Sequence, residues 1–186
     1  MNLLNPTKGR LLIAEPSILN DRSFNRSVIF LAAHNKSEGT VGFIMNKPTS
    51  YNIQDLVPAV ACNYPIFDGG PVEKENLYFL HSIPDLIPNS IEIGKGIYWG
   101  GNFNVLVGLL NHKKVNSSQI RFFLGYSGWD INQLGQELKE SSWVVVENNY
   151  ANIFTVDNSQ IWKNHLLAMG GDYKIWANAP QNPSLN

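Results

Sequence analysis

The amino-acid sequence predicts an α+β domain with about three helices. Short β-branched and apolar runs crowd the first half of the chain and capped amphipathic segments fall mainly in the second, an order that favours α+β over a regular βαβ array. The length of 186 residues suits one domain able to bury a core. With 44% hydrophobic, 11% aromatic and 16% charged residues, the composition is the reverse of a disordered chain's.

The first three strands are expected at Arg10 to Ala14, Ser27 to Ala33 and Thr40 to Met45, and the turn-rich stretch His34 to Gly39 joins the last two as a hairpin. The run Val28-Ile29-Phe30-Leu31-Ala32-Ala33 does not alternate with polar residues, which predicts a central strand covered on both faces. Further strands are expected at Leu77 to Leu80, Arg121 to Leu124 and Trp143 to Val146.

Asn102 is placed to cap a helix carrying Phe103, Leu106 and Leu110 on one stripe. Asp130 with Gln133 resembles a capping box ahead of Leu134 and Leu138. Ser159 is expected to cap the third helix, whose Trp162, Leu166 and Met169 share a face and whose stop is Gly170-Gly171. No repeat, low-complexity tract or interior linker interrupts the chain, so residues 1–186 read as one domain with an irregular tail over 178–186.

Charge and cysteine content narrow the function classes. A formal net charge of −1 is poor for a dedicated nucleic-acid binder, and the only adjacent basic pair, Lys113-Lys114, suits a helix C-terminus. Single Cys62 has no internal partner, and the N-terminus does not pattern as a secretion signal, which implies a cytoplasmic protein. The longest apolar runs fall far short of the roughly 18 residues of a membrane span.

Several blocks together resemble one known family. They are Lys8-Gly9-Arg10-Leu11-Leu12-Ile13-Ala14, Phe24-Asn25-Arg26-Ser27-Val28-Ile29, Gly42-Phe43-Ile44-Met45-Asn46-Lys47-Pro48, Gly69-Gly70-Pro71-Val72, Arg121 to Trp129 and Trp176-Ala177-Asn178-Ala179-Pro180. Through them the chain resembles the AlgH-like (YqgE) bacterial family over nearly its whole length. The resemblance implies a strongly bent, mixed or antiparallel sheet approaching a pseudo-barrel. It implies no established reaction, and the label of transcriptional regulator carried by some members finds no helix-turn-helix pattern here.

The chemistry-bearing motifs divide into those that fail and one that holds. Gly125-Tyr126-Ser127-Gly128-Trp129 approaches a nucleophile elbow but has Trp129 where glycine is required, and the triad order leaves only His165, on a helix. A tight turn delivering Asp130 as a helix cap is the preferred reading. His34, His81, His112 and His165 are dispersed, so no metal and no cofactor are expected. Gly69-Gly70 and Gly100-Gly101 match neither a Walker loop nor a dinucleotide fingerprint, which makes backbone freedom their default role. The five tryptophans lack interleaved Lys and Arg and are expected in the core or an interface rather than stacked on bases.

Arg26 stands just before one central strand and Asn46-Lys47 just after its hairpin partner, so antiparallel pairing brings them to one end of the sheet. A bidentate guanidinium beside a lysine is a site for phosphate, nucleotide or carboxylate. The plainer expectation for such cations is an ion pair of Arg26 with Asp21, Glu15 or Asp68 and a solvated Lys47. The ligand-binding set read from the sequence is Arg26, Asn46, Lys47, Gly69, Gly70, His81, Gly100, Gly101 and Ser127, with no catalytic residue assigned. The leading reading is a non-enzymatic binding or regulatory protein taking a small anion or a protein partner. The alternatives are a hydrolase or transferase on a phosphorylated or nucleotide-like small molecule, with His81 as acid or base, and a weak nucleic-acid binder.

Overall fold

Leu12, Ile13, Val28, Ile29, Phe30 and Leu31 are all wholly buried, and the sheet is assembled around them. The computed structural model describes residues 4–19, 21–35, 37–149, 153–155 and 158–180. In chain order its elements are β1 (Leu11–Ala14), β2 (Val28–Asn35), β3 (Gly39–Ile44), β4 (Pro48–Asn52), α1 (Ile53–Leu56), β5 (Pro65–Asp68), β6 (Val72–His81), β7 (Ile91–Gly94) and β8 (Ile97–Trp99). They continue as α2 (Phe103–Asn111), β9 (Ile120–Trp129), α3 (Gln133–Lys139), β10 (Trp143–Val146), α4 (Ile161–Met169) and α5 (Tyr173–Asn178).

The main path of the sheet runs β10-β1-β2-β3-β9-β6-β8-β7, with β4 and β5 attached to the side of β9. β2 sits between β1 and β3 in antiparallel register, Phe30 opposite both Leu11 and Phe43. Burial on both faces explains why its sequence does not alternate. Every pairing is antiparallel except β5 with β9. β10 and β7 end the path without meeting, so the sheet stays open and does not close into the expected pseudo-barrel.

β9 joins two hydrophobic clusters, because consecutive side chains of a strand point to opposite faces. Phe122 lies in one with Ile66, Phe79, Leu106 and Leu110, while Phe123 lies in the other with Phe67, Leu80 and Phe43. One edge of β9 pairs with β6 from Ile120 to Tyr126. The other is shared, β5 taking Phe122 to Leu124 and β3 taking Ser127 to Trp129.

At the changeover the Gly69 N–H donates to Leu124 O at 2.8 Å, and Gly69 O accepts from Ile44 N and from Ser127 Oγ, both at 3.0 Å. The stretch Gly125 to Trp129 is therefore strand, not the turn expected from its glycines. Those glycines serve close approach instead. A Cβ on Gly69 would lie 2.1 Å from Gly125 O, and one on Gly70, at φ +145°, would lie 2.4 Å from Ser127 Oγ.

Five α-helices are described rather than about three. The additions, α1 and α5, span four and six residues, too short for a hydrophobic period to show. Asn102 caps α2 through its side chain and Val105 N at 3.2 Å. In α3 only half of the expected box forms, Gln133 Oε1 accepting from Asp130 N, and Asn132 holds the cap position at φ +67°. α4 begins one residue later than a Ser159 cap would give, with Gln160 in the cap position.

Trp129, Trp143 and Trp162 are buried, Trp99 is half-buried and Trp176 is 43% exposed, so no tryptophan platform forms. Glu137 accepts from Trp129 Nε1 at 2.8 Å and Trp143 Nε1 at 2.7 Å, docking α3 onto the sheet. Trp162 Nε1 donates to Ala14 O at 2.8 Å and docks α4.

Gly69→Ala and Gly70→Ala are expected to destabilise the fold by about 1–3 kcal/mol each through overpacking against backbone. Gly108→Ala, in α2 with nothing within 4 Å of the added Cβ, is expected to stabilise by about 0.5–1 kcal/mol. Urea-unfolding midpoints of the three variants check the opposite signs.

Candidate functional site

The β2–β3 pairing continues past the strand ends through a side chain. Met45 N donates to Val28 O at 2.8 Å, and Asn46 then substitutes for backbone, its Oδ1 accepting from Val28 N at 2.8 Å and its Nδ2 donating to Arg26 O at 2.9 Å. The clamp holds Arg26 at φ +53°, a left-handed conformation that non-glycine residues adopt only when their surroundings enforce it. Asn46 is thus a positioning residue, and it fixes where the guanidinium emerges.

Arg26, Asn46 and Lys47 line one cleft of about 490 Å³. Arg22 and Lys163 add two more cations to its wall, with the amides of Asn25, Asn158, Gln160 and Asn178 between them. No Asp or Glu lines it among the described residues. The Arg26 guanidinium lies 5.0 Å from the centre of the Trp162 ring, and its Nη2 donates to Ala179 O at 3.0 Å and Pro180 O at 2.9 Å. Lys47 Nζ donates to Ser23 O at 2.7 Å.

Among the described residues none of these four cations forms an ion pair. The pairing of Arg26 with Asp21, Glu15 or Asp68 is absent, and Asp68 instead lies 3.7 Å from Lys74. Carbonyl oxygens hold Arg26 and Lys47 in place without a direct ion pair among the described residues. Burial pulls both pKa values below their ordinary ranges; for Lys47 the field of Lys74 adds to this, and the fields of Asp68 and Asp21 oppose it. One further feature marks the wall: the Oδ1 of Asn25 is buried without a hydrogen-bond partner.

The remaining residues read from the sequence lie elsewhere. Gly69, Gly70 and Ser127 meet at the β9 crossing, where their free space is filled by backbone and the Ser127 hydroxyl, wholly buried, is committed to Gly69 O. Asp68 N donates to Lys47 O at 2.8 Å, which brings that crossing next to the cleft without making it part of the wall. His81, Gly100 and Gly101 form a second group beside α2. The wholly buried His81 accepts from Ile83 N at Nδ1, so Nε2 carries the proton donated to Gly100 O at 3.0 Å. Both nitrogens are engaged and His81 does not line the cleft; burial lowers the imidazole's pKa.

Sequence reasoning missed Arg22, Lys163 and Arg121. Arg22 stands four residues before Arg26, the one local signal that was available. Lys163 arrives from a helix more than a hundred residues away. Arg121, 5% exposed, donates to Met45 O and Phe154 O at 2.8 Å and to Asn158 Oδ1 at 3.0 Å, stacks on Phe67, and is held by burial at a pKa of about 10. It reaches the cleft only through Asn158, one of the wall residues. Among the described residues no cluster of three or more His, Cys, Asp or Glu side chains is placed to hold a metal. Cys62 is half-buried, and burial pushes its thiol pKa up, away from the thiolate form that reacts with oxidants. No described helix is long and apolar enough to cross a membrane.

Comparison with known families adds the lineage. The AlgH-like family profile matches residues 11–174. The chain belongs to the AlgH-like family. A UPF0301 protein of Cytophaga hutchinsonii is 40% identical over 182 residues, covering 97% of this chain and 99% of that one. A UPF0301 protein of Chlorobium limicola is 38% identical over 179 residues, 96% and 95% of the two chains. Among solved structures, protein DIP2367 of Corynebacterium diphtheriae superposes with a TM-score of 0.75 at 20% identity over 96% of this chain and 95% of its own. The AlgH protein of Pseudomonas aeruginosa gives 0.71 at 23% identity over 97% and 98%. At those identities the likeness carries the AlgH-like fold alone.

Two outcomes follow for the AlgH-like chain. Asn46→Ala strands the Val28 N–H and Arg26 O and is expected to cost about 1–3 kcal/mol of stability by urea unfolding, with Asn46→Asp, which keeps the acceptor, losing less. His81 has a folded pKa below the unfolded value of 6.5, so the unfolded chain binds the proton more readily and stability falls as pH drops below 6.5, with no effect above it. His165 shifts in the same direction. His81→Gln is therefore expected to show a shallower, not a flat, loss of stability between pH 7 and about pH 5; urea midpoints across that range decide it.

Proposed function

We propose that the protein is a non-enzymatic binding protein whose cleft between β2, β3 and α4 takes a small anion bearing a phosphate or carboxylate. The observation that carries the reading is the set of four cations, Arg22, Arg26, Lys47 and Lys163, gathered on one concave wall without a described carboxylate. Uncompensated charge is costly to hold together unless a counter-charge arrives, and a guanidinium beside an ammonium offers forked donors and a point charge to it. Gln160 places the start of α4 at the same wall, where helix N–H groups favour negative charge.

Binding is favoured over turnover because, among the described residues, no His, Cys, Asp or Glu lines the cleft. His81, assigned that task in the enzymatic alternative, is buried beside α2 with both ring nitrogens in use. A regulatory role follows in the same terms: an anion competing for the Arg26 guanidinium would loosen its hold on Ala179 and Pro180 and so change how the end of the chain is presented. A single, half-buried thiol fits a reducing cytoplasmic setting.

Inorganic phosphate is expected to raise the thermal midpoint, the stabilisation reaching ~2.7 kcal/mol at a hundredfold excess over Kd. Lys47→Met combined with Lys163→Met removes two charges without adding any and is expected to abolish the shift. No shift in the unmodified protein, or an undiminished one in the folded double variant, discards the site.

A further inference from the structure

β9 carries an arginine into the interior without an acidic partner. Arg121 keeps 5% of its surface exposed, forms no ion pair among the described residues, and is bonded to Met45 O, Asn158 Oδ1 and Phe154 O. A cavity of about 220 Å³ borders its charged end, since Phe67, over which the guanidinium stacks, and its partners Phe154 and Asn158 all line that cavity. Among the described residues no Asp, no Glu and no second cation lines it. A positive charge drawn out of water is costly to hold without a counter-charge.

The donor count leaves part of the guanidinium fork unused. Of its five N–H groups, both on Nη1 and one on Nη2 are bonded, so one on Nη2 and the one on Nε remain. Among the described residues the only side-chain nitrogen sealed in without a partner is Asn148 Nδ2, so the unbonded Nε of Arg121 keeps accessible surface. Nε and Nη2 share one edge of the guanidinium, the edge that meets both oxygens of a carboxylate. Ser117 and Thr155, both exposed, bring hydroxyls to the same cavity, and neither hydroxyl makes a hydrogen bond among the described residues.

We propose that this cavity binds a small monocarboxylate, its oxygens accepting from Nε and Nη2 of Arg121 and its short apolar body packing on Tyr64, Pro65 and Ile120. One guanidinium answers one negative charge, and a divalent oxyanion would bring more charge than the described walls neutralise. Apolar walls around a few convergent polar groups are the usual make-up of a small-molecule site, and the volume restricts the ligand to a few heavy atoms. The site is separate from the cationic cleft: among the described residues Asn158 alone lines both, and its Oδ1 is already held by Arg121.

The test uses butyrate as probe and butyramide as its neutral counterpart, followed at constant ionic strength in the backbone-amide NMR spectrum of the full chain. Butyrate is expected to give saturable shifts centred on Phe67, Ile120 and Phe154 in the millimolar range, with butyramide at least about tenfold weaker. Arg121→Lys keeps the charge, loses the fork, and is expected to weaken butyrate roughly fivefold to tenfold. Thr155→Trp, at an exposed position, narrows the entrance and is expected to weaken it at least as much, which keeps the test decisive if Arg121→Lys does not fold; near-ultraviolet circular dichroism reports folding. Lys47→Met with Lys163→Met is expected to leave these shifts unchanged, whatever phosphate does at the cationic cleft. Absence of saturation, equal binding of butyramide, undiminished affinity in folded Arg121→Lys or Thr155→Trp, or loss of the shifts in the double lysine variant overturns the proposal. So does binding that appears only in Asp157→Asn, which removes the acidic residue nearest in sequence to Thr155 and Asn158.

Discussion

The fold depends on one strand serving two partners along a single edge. β9 gives the first part of that edge to β5 and the last part to β3, so the backbone of Gly69 must pass between them within hydrogen-bonding distance of both. A side chain there would collide with Gly125 O, and glycine is the one residue that permits the approach. From this crossing follow the division of the core into two clusters and the position of Lys47, whose carbonyl is tied to Asp68 one residue before it. The glycine pair Gly69-Gly70 and the residues that approach a nucleophile elbow are the materials of this crossing.

Upstream of it, a single amide does similar work for the cleft. Asn46 extends the β2–β3 ladder by supplying both a donor and an acceptor where backbone no longer reaches, and thereby stabilises an arginine in a backbone conformation it would not otherwise hold. The guanidinium is then shared between the Trp162 face and the carbonyls at the end of the chain. Strand end, helix and C-terminal segment meet at one charge, which is the kind of junction where occupancy by a ligand has consequences beyond the site itself.

Several polar groups inside the molecule dock its elements onto one another. Glu137 gathers two indole N–H groups, Trp162 reaches the backbone of β1, and Arg121 binds carbonyls of two separate segments while stacking on Phe67. Tyr173 donates to Glu15 at 2.7 Å, joining α5 to the end of β1; that bond and burial together push the tyrosine up to about 12. By contrast Asn25 Oδ1, Ser27 Oγ and Asn148 Nδ2 are buried without a hydrogen-bond partner among the described residues.

By itself the sequence determined what local chemistry controls. The buried run of β2, the hairpin into β3, the Asn102 cap of α2 and the apolar stripe of α4 are each written in a few adjacent residues, and antiparallel pairing of β2 with β3 brought Arg26, Asn46 and Lys47 to one end of the sheet. The AlgH-like lineage was legible in the same way, from blocks of neighbouring residues. Tertiary structure alone decided that β4, β5, β7 and β8 are strands, since such short segments gain their form from the edges they meet rather than from a period of their own. It also decided that Gly125 to Trp129 run straight, that Lys163 and Arg22 join the cleft, and that His81 does not. Those outcomes rest on contacts between residues far apart in the chain, and spacing along a sequence carries no record of which distant backbone edges come to share a hydrogen bond.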